Sequence, residues 1–323
     1  MIEGHGDDAY RYPGIRSDFS SNICSTTSHR TLMAHLAAHP DLLAHYPEPE
    51  AWSLERLIAE HYDIDPASVI VTNGATEAIY LIAQTFRLMR HIGIPTFQEY
   101  DDACQMFKVT DDDKKMLWFC NPNNPTGRVV DSMRQKRIVK EYDMVIIDQS
   151  YERYTRQGLM APRTAIRHGN VVLIYSFTKT YCVPGLRLGY IVAQQNLAAA
   201  IRQYLRPWSV SALAIEAGKF LLQHDELICQ PDFSEARRLH ELLSRLPGVS
   251  VEPTHATFML ARIEGYTAAD LKDYLAREHR MLIRDASNFR GLTPQHFRVA
   301  SQTPAENDAL VAAIKEYIEH RTQ

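Results

Sequence analysis

Short aliphatic and β-branched runs, each closed by a turn or polar residue and followed by a helical stretch, constrain this 323-residue chain more than any other feature. Ser68-Val-Ile-Val-Thr72 runs into Asn73-Gly74, and Ala75 to Met89 reads as a helix. Leu117 to Cys120 runs into Asn121-Pro-Asn-Asn-Pro-Thr-Gly127, ahead of a helical stretch from Met133 to Tyr142. Met144 to Ile147 ends in Asp148, Val171 to Tyr175 stops just before Ser176 and Lys179, and Gly189 to Ala193 is one more strand. Strands alternating with helices argue for an α/β layer with a largely parallel sheet.

The remaining stretches frame that layer. The first 35 or so residues read as an irregular arm with one strand-like stretch, Ser17 to Asn22. Trp52 to His61 has Leu54, Leu57 and Ile58 on one helical face. A long helical region from about Leu197 to Gln223 is interrupted near Pro207. Beyond it, helices over Phe233 to Leu246, Ala268 to Glu278 and Ala305 to His320 mix with strands over Val249 to Glu252, Thr257 to Ala261 and Phe297 to Ala300, an α+β pattern.

Composition excludes several classes. With 45% apolar and 23% charged residues, the chain is expected to be globular, not disordered. No apolar run reaches the ~18 residues of a membrane span. The opening residues lack the apolar stretch of a secretory signal. A net charge of −4 offers no footprint for nucleic acid. Cys24, Cys104, Cys120, Cys182 and Cys229 are odd in number, far apart and without a C-x-x-C, so a disulfide framework or a zinc site is not expected and a reducing cytoplasm is.

Polar residues gather where the candidate strands end, the edge at which open α/β sheets bind ligands. Gly74-Ala75-Thr76, Asn124, Asp148 and Lys179 each follow a different strand. A pyridine-ring cofactor bearing an aldehyde and a phosphate would unite them: an amine for the aldehyde, a carboxylate for the ring nitrogen, and helix N-termini, hydroxyls and an arginine for the phosphate. Taken singly, each residue has a blander reading. Lys179 could be a solvated charge, Asp148 a helix N-cap, Phe97 a core ring, and N-P-N-N-P a simple turn.

The set in order resembles the fold-type-I pyridoxal-phosphate enzymes of the class I/II aminotransferase group. N-P-N-N-P-T-G (121–127), D-x-x-Y (148–151), S-x-T-K (176–179) and G-L-R-L-G-Y (185–190) stand in that group's order with similar gaps. The resemblance implies a large three-layer α/β/α domain with a mostly parallel sheet over 36–225, a smaller C-terminal α+β domain over 226–323, and an arm over 1–35 that contributes to the active site. It implies pyridoxal 5'-phosphate bonded to Lys179, Asp148 against the ring nitrogen, Asn124 and Tyr151 at the ring oxygen, and Phe97 on the ring face. Ala75, Thr76, Ser176, Thr178 and Arg187 would hold the phosphate. Tyr46 would reach the phosphate of a neighbouring subunit, which requires a homodimer with a shared active site.

Within the group, four further stretches resemble the threonine-phosphate decarboxylases of cobalamin synthesis, neighbours of the histidinol-phosphate aminotransferases. They are His5-Gly6, Asp18 to Asn22, Arg206-Pro-Trp-Ser-Val, and Leu282 to Leu292 followed by Phe297-Arg298. This implies a phosphorylated amino acid as substrate, contacted by His5, Gly6, Asn22, Asn124, Arg284 and Arg298, and loss of its carboxylate. Amino transfer is the competing reaction. Two departures stand out: Gln149 replaces the group's usual Glu, and the stretch from Phe86 to Trp118 is short, so a smaller sheet edge or a missing loop is expected there.

Overall fold

The computed structural model describes residues 8–24 and 29–320. Twelve strands and twelve α-helices are named here in chain order. The arm supplies β1 (Ser17–Asp18), and α1 (Arg30–Ala37) and α2 (Trp52–Tyr62) follow. Helix α1 therefore begins inside the stretch expected to be irregular. Next come β2 (Val69–Thr72), α3 (Gly74–Thr85), β3 (Leu88–Ile92), α4 (Glu99–Gln105) and β4 (Asp111–Cys120). The chain continues through α5 (Ser132–Glu141), β5 (Met144–Asp148), α6 (Pro162–His168), β6 (Val171–Ser176), α7 (Phe177–Thr180) and β7 (Gly189–Ala193).

These strands form one six-stranded sheet in the order β2-β7-β6-β5-β4-β3. Strands β3 to β6 are parallel, and β7 runs antiparallel to both β2 and β6. Side chains alternate across its two faces. Met144, Ile146, Val172 and Ile174 pack with α3, α4 and α8 (Gln195–Arg202) on one side. Val145, Ile147, Val171 and Leu173 pack with α2, α6 and α9 (Ala212–Leu222) on the other. Cover on both faces is why the strands read as unbroken apolar runs.

The short edge took a different form from the one expected. Helix α3 ends at Thr85, and Met89 lies in strand β3. Strand β4 is ten residues long; its first half is polar and mostly exposed, so only its apolar end was visible as a strand.

The C-terminal part holds α10 (Phe233–Ser244), β8 (Val249–Val251), β9 (Phe258–Ile263), α11 (Ala268–Glu278), β10 (Met281–Leu282), β11 (Arg284–Asp285), β12 (His296–Ala300) and α12 (Pro304–His320). An antiparallel sheet in the order β11-β12-β9-β8 packs Met259, Ala261, Phe297 and Val299 against the three helices. Strand β1 of the arm pairs with β10, which ties the arm to this part. Among the described residues, no helix is long and apolar enough to cross a membrane.

Candidate active site

A cavity of about 290 Å³ lies at the C-terminal ends of β4, β5 and β6, closed on one side by the arm and by β11 and β12. Strand register delivers several of its groups. Asp148 ends β5 opposite Cys120 of β4, and Ser176 ends β6 opposite Gly189 of β7. The chain turns from Ser176 directly into α7, which carries Thr178 and Lys179 to the cavity while Phe177 packs into the core.

Among the described residues that line the cavity, Asp148 is the only carboxylate. Its Oδ2 accepts a hydrogen bond from the Tyr100 hydroxyl at 2.7 Å, and its Oδ1 accepts one from the Ser150 amide at 2.8 Å. Burial holds this carboxyl above the ordinary aspartate range, opposed by the polar groups of Ser150 and Tyr100. A cationic partner would reverse that preference. Lys179 Nζ donates to the Ser21 carbonyl at 2.5 Å and stands 5.6 Å from the centre of the Tyr151 ring. Burial pushes the Tyr151 hydroxyl up to about 12, against the pull of the Arg298 charge.

One end of the cavity is built around the start of α3. Ala75 and Thr76 line it, and the Asn73 side chain makes no capping hydrogen bond there. Arg187 points at the same turn from a left-handed backbone (φ 51°), an uncommon conformation for a side chain of this size. Gly74 has φ 77°, and a Cβ there would sit 2.8 Å from Arg187 Nη2. A Cβ on Gly189 would meet the Ala75 amide nitrogen at 2.8 Å. The two glycines thus let β7, α3 and the guanidinium converge. The Thr178 hydroxyl is buried at the cavity wall and has no hydrogen-bond partner among the described residues.

The opposite end holds two arginines. Arg284 and Arg298 are cross-strand partners of β11 and β12, only 5% and 4% exposed. Phe297 and Val299 face the core of the C-terminal part, so alternation turns Arg298 to the cavity. Arg298 donates to Asn124 Oδ1 and to the Ser20 carbonyl, while its buried Nε has no partner among the described residues. Arg284 donates to Asn288 Oδ1 at 2.8 Å. Burial, then the Arg298 charge, lowers Arg284 to about 10, and burial lowers Arg298 as well. Among the described residues, neither these two nor Arg187 has a carboxylate within ion-pair distance. Three arginines and a lysine against one carboxylate make a cavity for more than one anionic group.

The three asparagines of N-P-N-N-P-T-G have separate tasks. Asn121 bonds the backbone of Val130 in both directions. Asn123 accepts from the Thr96 hydroxyl at 2.7 Å and donates to the Pro95 carbonyl at 2.9 Å, which fixes the segment carrying Phe97. Asn124 alone faces the cavity.

The cavity brings together Ala75, Thr76, Phe97, Asn124, Asp148 and Tyr151. It also brings together Ser176, Thr178, Lys179, Arg187, Arg284 and Arg298. Asn22, in the arm between the lining residues Ser21 and Ile23, is fully buried, and both polar atoms of its side chain lack hydrogen-bond partners among the described residues. His5 and Gly6 lie outside the described residues. Tyr46 is 86% exposed, away from this cavity, with its ring 5.6 Å from that of Trp208. Sequence reasoning missed Tyr100, Ser150, Ser20, Ser21 and Phe289, which also line the cavity. The i, i+3 spacing of Phe97 and Tyr100 was the available signal, but α4 was not foreseen. Gln149 is buried on the far side, accepting from Tyr175 and donating to the Met160 carbonyl, so the departure from Glu serves packing.

Residues 107–314 match the family model of aminotransferase class I and II. The chain is 29% identical to the threonine-phosphate decarboxylase of Salmonella typhimurium, over 92% of this chain and 90% of that one. It superposes on the crystal structure of L-threonine-O-3-phosphate decarboxylase from Porphyromonas gingivalis with a TM-score of 0.89 and 37% identity, covering 94% of this chain and all of that one. The histidinol-phosphate aminotransferase of Clostridium acetobutylicum shares the fold, with a TM-score of 0.85 and 23% identity over 94% of this chain and all of that one.

Proposed function

We propose that this chain, which belongs to the aminotransferase class I and II family, uses pyridoxal 5'-phosphate to decarboxylate O-phospho-L-threonine to (R)-1-amino-2-propanol O-2-phosphate, a step of cobalamin synthesis. The observation that carries the reading is the pair of buried arginines without carboxylate partners among the described residues, set apart from a third arginine at the start of α3.

The residues fit the cofactor. The start of α3, where the Asn73 side chain makes no cap, the Thr178 hydroxyl, without a partner among the described residues, Ser176 and Arg187 form an anion cradle. Asp148 would face the ring nitrogen, Asn124 and Tyr151 the ring oxygen, and Phe97 the ring face. When bound, the cofactor supplies an electron sink conjugated to the substrate Cα.

The chain's own residues choose the bond that breaks. Arg284 and Arg298 would bind the substrate's carboxylate and phosphate, and with both anions fixed, rotation about the Cα bonds is lost. Asn22 and Asn124 would add polar contacts, with His5 and Gly6 from the arm. Lys179 Nζ donates to the Ser21 carbonyl, which would hold the amine whenever it is not bonded to the cofactor. The Tyr100 hydroxyl donates to Asp148 and so favours its charged form, against the effect of burial. Tyr46 would complete the phosphate site of a second copy in a homodimer, and its exposure leaves it available to one.

The test is carbon dioxide release from O-phospho-L-threonine with no keto acid present. Release without a co-substrate supports decarboxylation. Amino transfer from histidinol phosphate to 2-oxoglutarate, with no release from phosphothreonine, refutes it in favour of the aminotransferase.

A further inference from the structure

The odd number and wide spacing of the cysteines give no expectation of a disulfide framework or a zinc site, yet three of them meet behind the lysine turn. The Sγ atoms of Cys24, Cys182 and Cys229 all lie within 4.8 Å of one another, and none is in a disulfide. They come from three segments: the arm, the loop after α7, and the approach to α10. Cys182 and Cys229 are 1% and 3% exposed, whereas Cys24 is partly open and provides the entrance. All three border the apolar core beneath the sheet; the Tyr154 hydroxyl donates to the Lys179 carbonyl and stands 3.8 Å from Cys182 Sγ, and His29 Nε2 lies 2.8 Å from the Cys182 carbonyl.

Chemistry narrows what three such sulfurs could take. Zinc prefers four ligands, and three thiolates around a divalent ion would leave a net charge buried among apolar groups. Among the described residues, no fourth cysteine, histidine or carboxylate joins the set. A disulfide would use two sulfurs and needs a reactive thiolate and an oxidant.

We infer that Cys24, Cys182 and Cys229 form a three-sulfur site for a trivalent thiophilic metalloid, with arsenite as the probe. Arsenous acid has three As–O bonds. Each exchanges for an As–S bond, and each thiol proton leaves with a hydroxide as water. Nothing is oxidised or reduced, and the product is neutral, which suits a buried apolar site. The ion would stitch the arm to the lysine loop, since the Cys229 amide donates to the Thr180 carbonyl at 2.8 Å and Ser21 holds Lys179.

The test is arsenic retained by the purified full chain after desalting, read by native mass spectrometry. Wild type should keep about one arsenic per chain, and Cys182→Ser or Cys229→Ser should keep at least about tenfold less. Cys104→Ser, remote from the cluster, should bind as wild type. Cys24→Ser lies on the partly open side; should the buried variants misfold, it must show the same loss, and arsenite must protect Cys24 of the wild type from alkylation. Retention unchanged in Cys24→Ser, or arsenic displaced by equimolar zinc, would overturn the inference. None of these readouts depends on turnover.

Discussion

Replacing Arg284 by methionine should stabilise the ligand-free protein and cripple the enzyme. Arg284 and Arg298 sit directly opposite on neighbouring strands, both buried, without a carboxylate partner among the described residues. Like charges so placed repel. The fall of Arg284 from the ordinary arginine value to about 10 corresponds to roughly 3 kcal/mol of penalty for carrying the charge. The folded chain holds this proton less tightly than the unfolded chain. The penalty is therefore complete at neutral pH and is relieved only as pH rises past about 10. Arg284→Met removes it but forfeits the hydrogen bond to Asn288, so a net gain of about 1–2 kcal/mol is expected. Differential scanning fluorimetry of the ligand-free protein should then show a rise of roughly 2–4 °C. Losing one partner of a buried anion contact costs about 2–5 kcal/mol, so kcat/KM for O-phospho-L-threonine should drop by roughly 30- to 5000-fold. A variant that melts several degrees lower while turning over phosphothreonine normally would refute the reasoning: the arginine would then be structural.

Three further variants probe the other end of the cavity. The Asp148 carboxyl is raised by burial, so its stability contribution is present in acid and lost as pH rises through its folded value. Asp148→Asn should therefore make the ligand-free protein relatively more stable at neutral pH in thermal melts, while lowering turnover by roughly 100- to 1000-fold. Tyr100→Phe removes a hydrogen bond to a charged group worth about 1.5–3 kcal/mol, and a spectral pH titration of the loaded enzyme should move by about one pH unit or more. Gly74→Ala forces a side chain onto a left-handed backbone and against Arg187; equilibrium dialysis should show pyridoxal phosphate bound about tenfold more weakly.

Much of the site was legible because its chemistry is local in sequence. Asp148, Ser176 and Lys179 stand where an apolar strand stops, and the same strand ends place them together in space. Arg187 and Asn124 lie in loops whose motifs have fixed spacing. Tyr100 was not legible, because its partner is 48 residues away and α4 has too few residues to show periodicity. Nor was the opposition of Arg284 and Arg298, which depends on the register of a two-residue strand. The cysteine cluster was hidden for the same reason: it is made by three segments whose approach only tertiary packing decides. Strand β4 was half visible, since its exposed acidic and basic start carries no apolar signal.

Everything in the functional account requires Lys179 to be the residue that carries the cofactor. Borohydride reduction of the loaded protein fixes that bond, and peptide mass mapping then locates it. The reduced pyridoxyl group is expected on Lys179 in the segment Phe177 to Arg187, and none on Lys179→Ala. A modified lysine elsewhere, or a protein that takes up no cofactor at saturating concentration, would contradict it.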